Sequence, residues 1–113
     1  MIPYDKRSGK IWYNGELVDW SDVKVHVLSH GLHYASCVFE GERVYDGSIF
    51  KLEEHTSRLF YSAKRMGIEI PYSEDEINKA YCQKTKYYLL TLMGHVMRAI
   101  KTLICLSAIN PPA

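Results

Sequence analysis

The sequence predicts an α+β domain, an antiparallel sheet laid down first and helices packed afterwards on one of its faces. Two observations carry that reading. Asn14-Gly15 and Asp46-Gly47 each sit between short runs rich in apolar and aromatic residues, and such dipeptides supply the positive φ values that two-residue hairpin turns require. From residue 53 onward the apolar residues recur at intervals of three and four instead of two, the mark of amphipathic helix. Hairpins followed by helices bury their apolar faces against one another in two layers.

Composition sets the frame. The chain has 113 residues, of which 47% are hydrophobic and 24% charged, with a net charge of +1. That is one soluble globular domain with a modest core. The charge balance argues against nucleic acid as a partner, and no apolar run is long enough to span a membrane, so no membrane is expected as a partner. Cys37, Cys82 and Cys105 are odd in number and widely spaced, without a CxxC pair. They predict buried thiols in a reducing, cytoplasmic setting. The first residues, MIPYDKRSGK, lack the apolar stretch of a signal peptide.

Taken in order, residues 1–9 read as a loose arm, and residues 11–13 and 16–20 as the arms of the first hairpin. VKVHVL (23–28) alternates and reads as a further strand. SHGLHYAS (29–36) reads as a turn or single helical turn around Gly31. CVFEGERVYD (37–46) and SIFKL (48–52) read as strands joined at Asp46-Gly47, so the hairpins fall within residues 11–52. A helix over 53–66 follows, with Leu52, Leu59, Ala63 and Met66 on one face, acids at its start, bases at its end and Gly67 as its stop. Ser73 with Glu76 forms a capping box that opens a helix over 74–83. Leu89, Leu92, Met93, Val96, Met97, Ile100, Leu103 and Ile104 then make a stripe that predicts a further amphipathic helix over about 86–107, ended by Asn110-Pro111-Pro112.

Residues 26–47 concentrate the chemistry. His26, His30 and His33 would share a face on a helix and hold zinc there, but the segment reads as strand and turn, and no acid or cysteine completes the set. No metal is therefore expected. Cys37 with His33 as base would make a nucleophile, yet nothing near it stabilises a thiolate, and a structural cysteine is the plainer reading. Arg58 reads either as a solvated arginine or as an anion clamp, since a guanidinium meets phosphate through paired hydrogen bonds. Tyr34, Phe39 and Gly41 would line a small apolar pocket or simply belong to the sheet.

The run WYNGELVDWSDVKVHVLSHGLHYASCVFEGERVYDG, followed by EHTSRLFYSAK, resembles the N-terminal domain of the class IV (fold-type IV) pyridoxal-phosphate aminotransferases. It is most similar to the bacterial branched-chain-amino-acid aminotransferases. The resemblance implies amino transfer between Leu, Ile or Val and 2-oxoglutarate, pyridoxal 5'-phosphate as cofactor, and a homo-oligomer. It implies that Arg58 binds the cofactor phosphate, that Phe39 and Gly41 line the substrate side-chain pocket, and that Tyr34 reaches into a neighbouring subunit's pocket. The Phe-Glu-Gly-x-Arg pattern at 39–43 favours the branched-chain enzymes over the D-amino-acid aminotransferases, the alternative within the family. Residues 1–83 follow the family and 84–113 do not, as a truncated or frame-shifted product would. No catalytic residue is assigned, because the lysine that carries the cofactor belongs to a second domain. Transamination by this chain alone is therefore not expected. The other alternative is a non-catalytic interaction module working through the 86–107 helix.

Overall fold

The computed structural model describes residues 3, 6–92 and 102–107, with side chains described up to residue 83. Strands β1 (Lys10–Tyr13) and β2 (Glu16–Asp19) form an antiparallel hairpin in which Tyr13 faces Glu16. Asn14 and Gly15 turn it with φ of 51° and 97°, the positive pair that the type I′ turn demands. A 3-10 turn over Trp20–Asp22 leaves the hairpin.

Residues 23–28 are not a strand, which corrects the sequence expectation. Alternation specifies a strand only where an open sheet edge accepts its backbone groups. Residues 23–28 pair with no described strand, and Val25, Val27 and Leu28 remain 53%, 71% and 60% exposed. A single helical turn, α1 (His30–His33), follows as expected.

Strand β3 (Cys37–Glu42) is the centre of the fold. Val38, Glu40 and Glu42 are buried on one face, while Phe39 and Gly41 are exposed on the other. The second hairpin is smaller than the sequence suggested: β4 (Val44–Tyr45) pairs with β5 (Ser48–Ile49) around Asp46 and Gly47, whose φ values are 46° and 80°.

Helix α2 (Leu52–Arg65) packs on β3 and buries Leu52, Thr56, Leu59 and Ala63. Met66, placed on that stripe by its spacing, is 53% exposed. Met66 is the C-cap residue, still bonded through its N–H to Ser62 O at 3.1 Å, but at the helix end its side chain is left uncovered. The stop is a Schellman motif: Gly67 N–H donates to Lys64 O at 3.2 Å and Ile68 N–H to Ala63 O at 2.9 Å, with Gly67 at φ 68°. Ile68 and Ile70 then fold back onto the Val38, Leu59 and Ala63 cluster.

Helix α3 runs without a break over Glu74–Leu92, joining what the sequence divided into two helices. Its start carries the expected capping box. Ser73 N–H donates to Glu76 Oε2 at 2.8 Å, and Glu76 N–H donates back to Ser73 Oγ at 3.3 Å. Ser73→Ala is expected to cost about 1 kcal/mol in urea unfolding, and an unchanged midpoint would show the cap to be redundant. Ile77, Ala80 and Tyr81 face inward, and Leu52, Ile77 and Tyr81 form a second cluster against Trp12, Ile49, Phe60 and Tyr72. Cys82 lies on the outer face of α3 and is exposed, and Cys37 is half-buried, so the thiols are not uniformly buried.

The expected 86–107 helix does not extend to its end. Residues 102–107 form β6 (Thr102–Ser107), antiparallel to β3 with Phe39 opposite Cys105 and Gly41 opposite Leu103. The reason lies in β3, whose free edge leaves backbone N–H and C=O groups that an extended apolar segment satisfies better than a helix would. Met93, Val96, Met97 and Ile100 lie outside the described residues, as do the closing prolines and part of the N-terminal arm. The α+β class holds, with three antiparallel strand pairs and two long helices among the described residues. Among the described residues no helix is long and apolar enough to cross a membrane.

Candidate anion and substrate site

Arg58 stands on the middle of α2, one turn after His55, and both reach β3 at Glu40. Arg58 Nε donates to Glu40 Oε1 at 2.6 Å and Nη2 donates to Oε2 at 2.6 Å. His55 Nδ1 lies 2.8 Å from the same Oε2. A carboxylate oxygen only accepts, so Nδ1 carries the hydrogen. The 3.1 Å approach of Nη2 to Nδ1 is then two donors converging on one oxygen and not a bond between them.

The burial is lopsided. The Glu40 side chain is 6% exposed and the Arg58 side chain 62%. The Arg58 guanidinium holds the Glu40 carboxyl below its ordinary range, against the opposing effect of burial and with help from His55. Glu40 in turn makes the Arg58 guanidinium still harder to deprotonate. The result is an arginine anchored along one edge with its other edge in solvent. No described residue bonds to Nη1.

The residues expected around the substrate are open to solvent. Phe39 is 64% exposed and Tyr34 66%. A Cβ added to Gly41 would meet nothing within 4 Å, so the strand leaves free space beside the Phe39 ring. The Tyr34 ring stands edge-on to His33 at 4.7 Å and tilted to His30 at 5.2 Å. The fold therefore brings Phe39 and Gly41 to one face of β3. Arg58 meets the strand through Glu40, whose side chain points to the opposite, helix-covered face.

Among the described residues no three side chains converge as metal ligands. His26 Nδ1 instead accepts a hydrogen bond from Leu28 N–H at 3.1 Å.

Sequence reasoning passed over Glu40 and His55. The signal was present: alternation from Val38 puts Glu40 and Glu42 on the inward face, and His55 and Arg58 are spaced to share a helix face. An acid forced inward opposite a base on the covering helix is a pairing that sequence can suggest.

Residues 37–103 match the model of the family described as amino-transferase class IV. The chain belongs to the class IV aminotransferase family. The branched-chain-amino-acid aminotransferase of Pseudomonas aeruginosa is 58% identical over 78 residues, which is 66% of this chain and 25% of that enzyme. The fold superposes on the branched-chain aminotransferase of Thermoproteus uzoniensis, solved with norvaline, at a TM-score of 0.67 and 40% identity, covering 72% of this chain and 29% of that one. It also superposes on the Escherichia coli branched-chain amino acid aminotransferase, at a TM-score of 0.62 and 46% identity, covering 66% and 26%. The chain thus spans about a quarter of the length of these class IV aminotransferases.

Proposed function

We propose that this chain supplies the phosphate-binding arginine and part of the substrate wall of a branched-chain-amino-acid aminotransferase. The reaction is amino transfer between Leu, Ile or Val and 2-oxoglutarate. One observation carries the reading: the half-anchored Arg58 guanidinium presents an open edge, the geometry that receives a phosphate ester through paired charged hydrogen bonds. The donor set fits pyridoxal 5'-phosphate, which supplies the electron sink for amino transfer when bound. Phe39 offers an apolar wall and Gly41 the room beside it for an aliphatic side chain. Tyr34, exposed at the end of α1, extends toward a neighbouring subunit of a homo-oligomer. The family segment is taken as residues 1–83, with 84–113 as a separate tail, although the family match itself runs on to residue 103. The enzyme works in the cytoplasm.

The family resemblance puts the cofactor-carrying lysine in a second domain, so this segment by itself is expected to bind the phosphate ester without turning over substrate. The test is calorimetric titration with pyridoxamine 5'-phosphate and with pyridoxamine, which lacks the phosphate. The phosphorylated ligand is expected to bind at least about tenfold more tightly, and Arg58→Met to remove that preference. Equal binding of the two ligands by the unaltered chain overturns the reading, as does an unchanged preference in Arg58→Met.

A further inference from the structure

We propose that Glu40 is the positioning residue for Arg58, fixing the guanidinium so that Nη1 and the outer edge of Nη2 meet an oxyanion. This rests on the reading that Arg58 binds a phosphate ester. The argument begins with β3. A glutamate on the inward face of a strand has its backbone fixed by the sheet and its side chain confined by the helix above, and Glu40 is 5% exposed. His55, one turn before Arg58, occupies one lone pair of Oε2. The carboxylate is therefore a rigid acceptor with both oxygens engaged.

Arg58 is the mobile partner, on an exposed stem with several rotatable bonds. Left free, its head would sample many rotamers and a ligand would have to order it on binding. With Nε and Nη2 docked in parallel on one carboxylate, the guanidinium plane is set before any ligand arrives. Arginine carries five N–H groups in a planar fork, so docking one edge leaves the adjacent edge pointing outward.

Two other roles would look alike in a static structure. Glu40 could merely staple α2 to β3, or it could compete with an incoming anion by neutralising Arg58. The three roles differ in what Glu40→Gln does. The change keeps the shape, removes the charge and turns one acceptor into a donor.

The experiment is pyridoxamine 5'-phosphate titration of the full chain, its Glu40→Gln variant, Arg58→Met, and Val38→Ala as a control. Val38 shares the inward face of β3, so its truncation loosens the same packing without touching the ion pair. The expected result is binding weakened roughly tenfold by Glu40→Gln, and unchanged by Val38→Ala. Unchanged or tighter binding in Glu40→Gln, with binding lost in Arg58→Met, overturns the positioning role and leaves the phosphate reading intact. Equal weakening by Val38→Ala and Glu40→Gln assigns Glu40 a structural role and overturns the proposal. Absence of binding by the unaltered chain overturns both readings.

A second measurement reads the ion pair in the unaltered chain, with a variant used only to assign the signal. In the 15N-labelled chain one arginine Nε–H signal, lost in Arg58→Lys, is expected to be displaced from the rest and protected from solvent exchange. An Arg58 Nε–H that exchanges like that of free arginine overturns the proposal.

Discussion

Leu59→Ala is expected to destabilise the chain by about 2–5 kcal/mol, whereas Met66→Ala costs about 0.5 kcal/mol or less. Both residues read from sequence as one apolar stripe. In the structure Leu59 is 0% exposed and packs with Val38 and Ala63, while Met66 is 53% exposed beyond the end of α2. Truncating Leu59 removes buried methyl groups and leaves a cavity where α2 meets β3, and neighbouring atoms close such a gap only in part. A domain of this size is held by roughly 5–15 kcal/mol, so the loss is a large share of the total. Urea unfolding of the two variants checks it. Equal midpoints would mean that the contact between α2 and β3 contributes little to the fold.

That pair of residues also marks how far the sequence could be read. Periodicity found α2, its inward face and its stop at Gly67, because those are local properties of spacing and turn chemistry. It placed Met66 on the buried face because spacing alone does not say where a helix gives way to its cap. Asn14-Gly15 and Asp46-Gly47 were legible for the same reason: positive φ in a two-residue turn is a local demand. Residues 23–28 and 102–107 were not. Each outcome turned on whether the segment is brought against a strand edge, and that is settled by the rest of the chain. VKVHVL alternates like a strand and found no partner, while TLICLS fitted a helical stripe and pairs with β3.

The site divides along the same line. Arg58, Tyr34, Phe39 and Gly41 stood out in the sequence as an anion clamp and a pocket lining, each beside a plainer reading, and motif resemblance supplied their particular roles. The alternation of β3 was itself visible. What it implied, two carboxylates on the buried face, was not drawn out because an inward acid makes sense only once its partner on α2 is known.

The second of those carboxylates, Glu42, should give the chain a stability that falls as the pH rises. Glu42 is 1% exposed, and neither of its oxygens has a hydrogen-bond partner among the described residues. The Tyr81 hydroxyl and His55 are close enough to favour its charged form, but burial outweighs them and Glu40 adds to the opposition, so the Glu42 carboxyl is raised above its ordinary value of 4.5. Burial, with the neighbouring acid adding to it, likewise pushes the Tyr81 phenol upward. The folded state therefore keeps a proton on Glu42 at pH values where the unfolded chain has released it. Between the ordinary value and the raised one the folded state binds more protons than the unfolded state, so stability declines through that window by up to about 1.4 kcal/mol per pH unit. Below 4.5 this contribution is fully present. Glu40 has the opposite sign. Arg58 and His55 lower its carboxyl, so its contribution is present above the ordinary value and lost as the pH falls through the lowered one. Two glutamates on the same face of one strand thus make the fold sensitive at both ends of the range, one because a paired guanidinium dominates its surroundings and the other because burial does. Urea unfolding at a series of pH values, with Glu42→Gln and Glu40→Gln beside the unaltered chain, separates them. Glu42→Gln should remove the decline above pH 4.5 and Glu40→Gln should lessen the decline below it, to which Glu76, lowered by its hydrogen bonds from Ser73, also contributes. A Glu42→Gln curve parallel to the unaltered one at every pH would mean that Glu42 titrates alike in the folded and unfolded chain, and that burial does not hold it neutral.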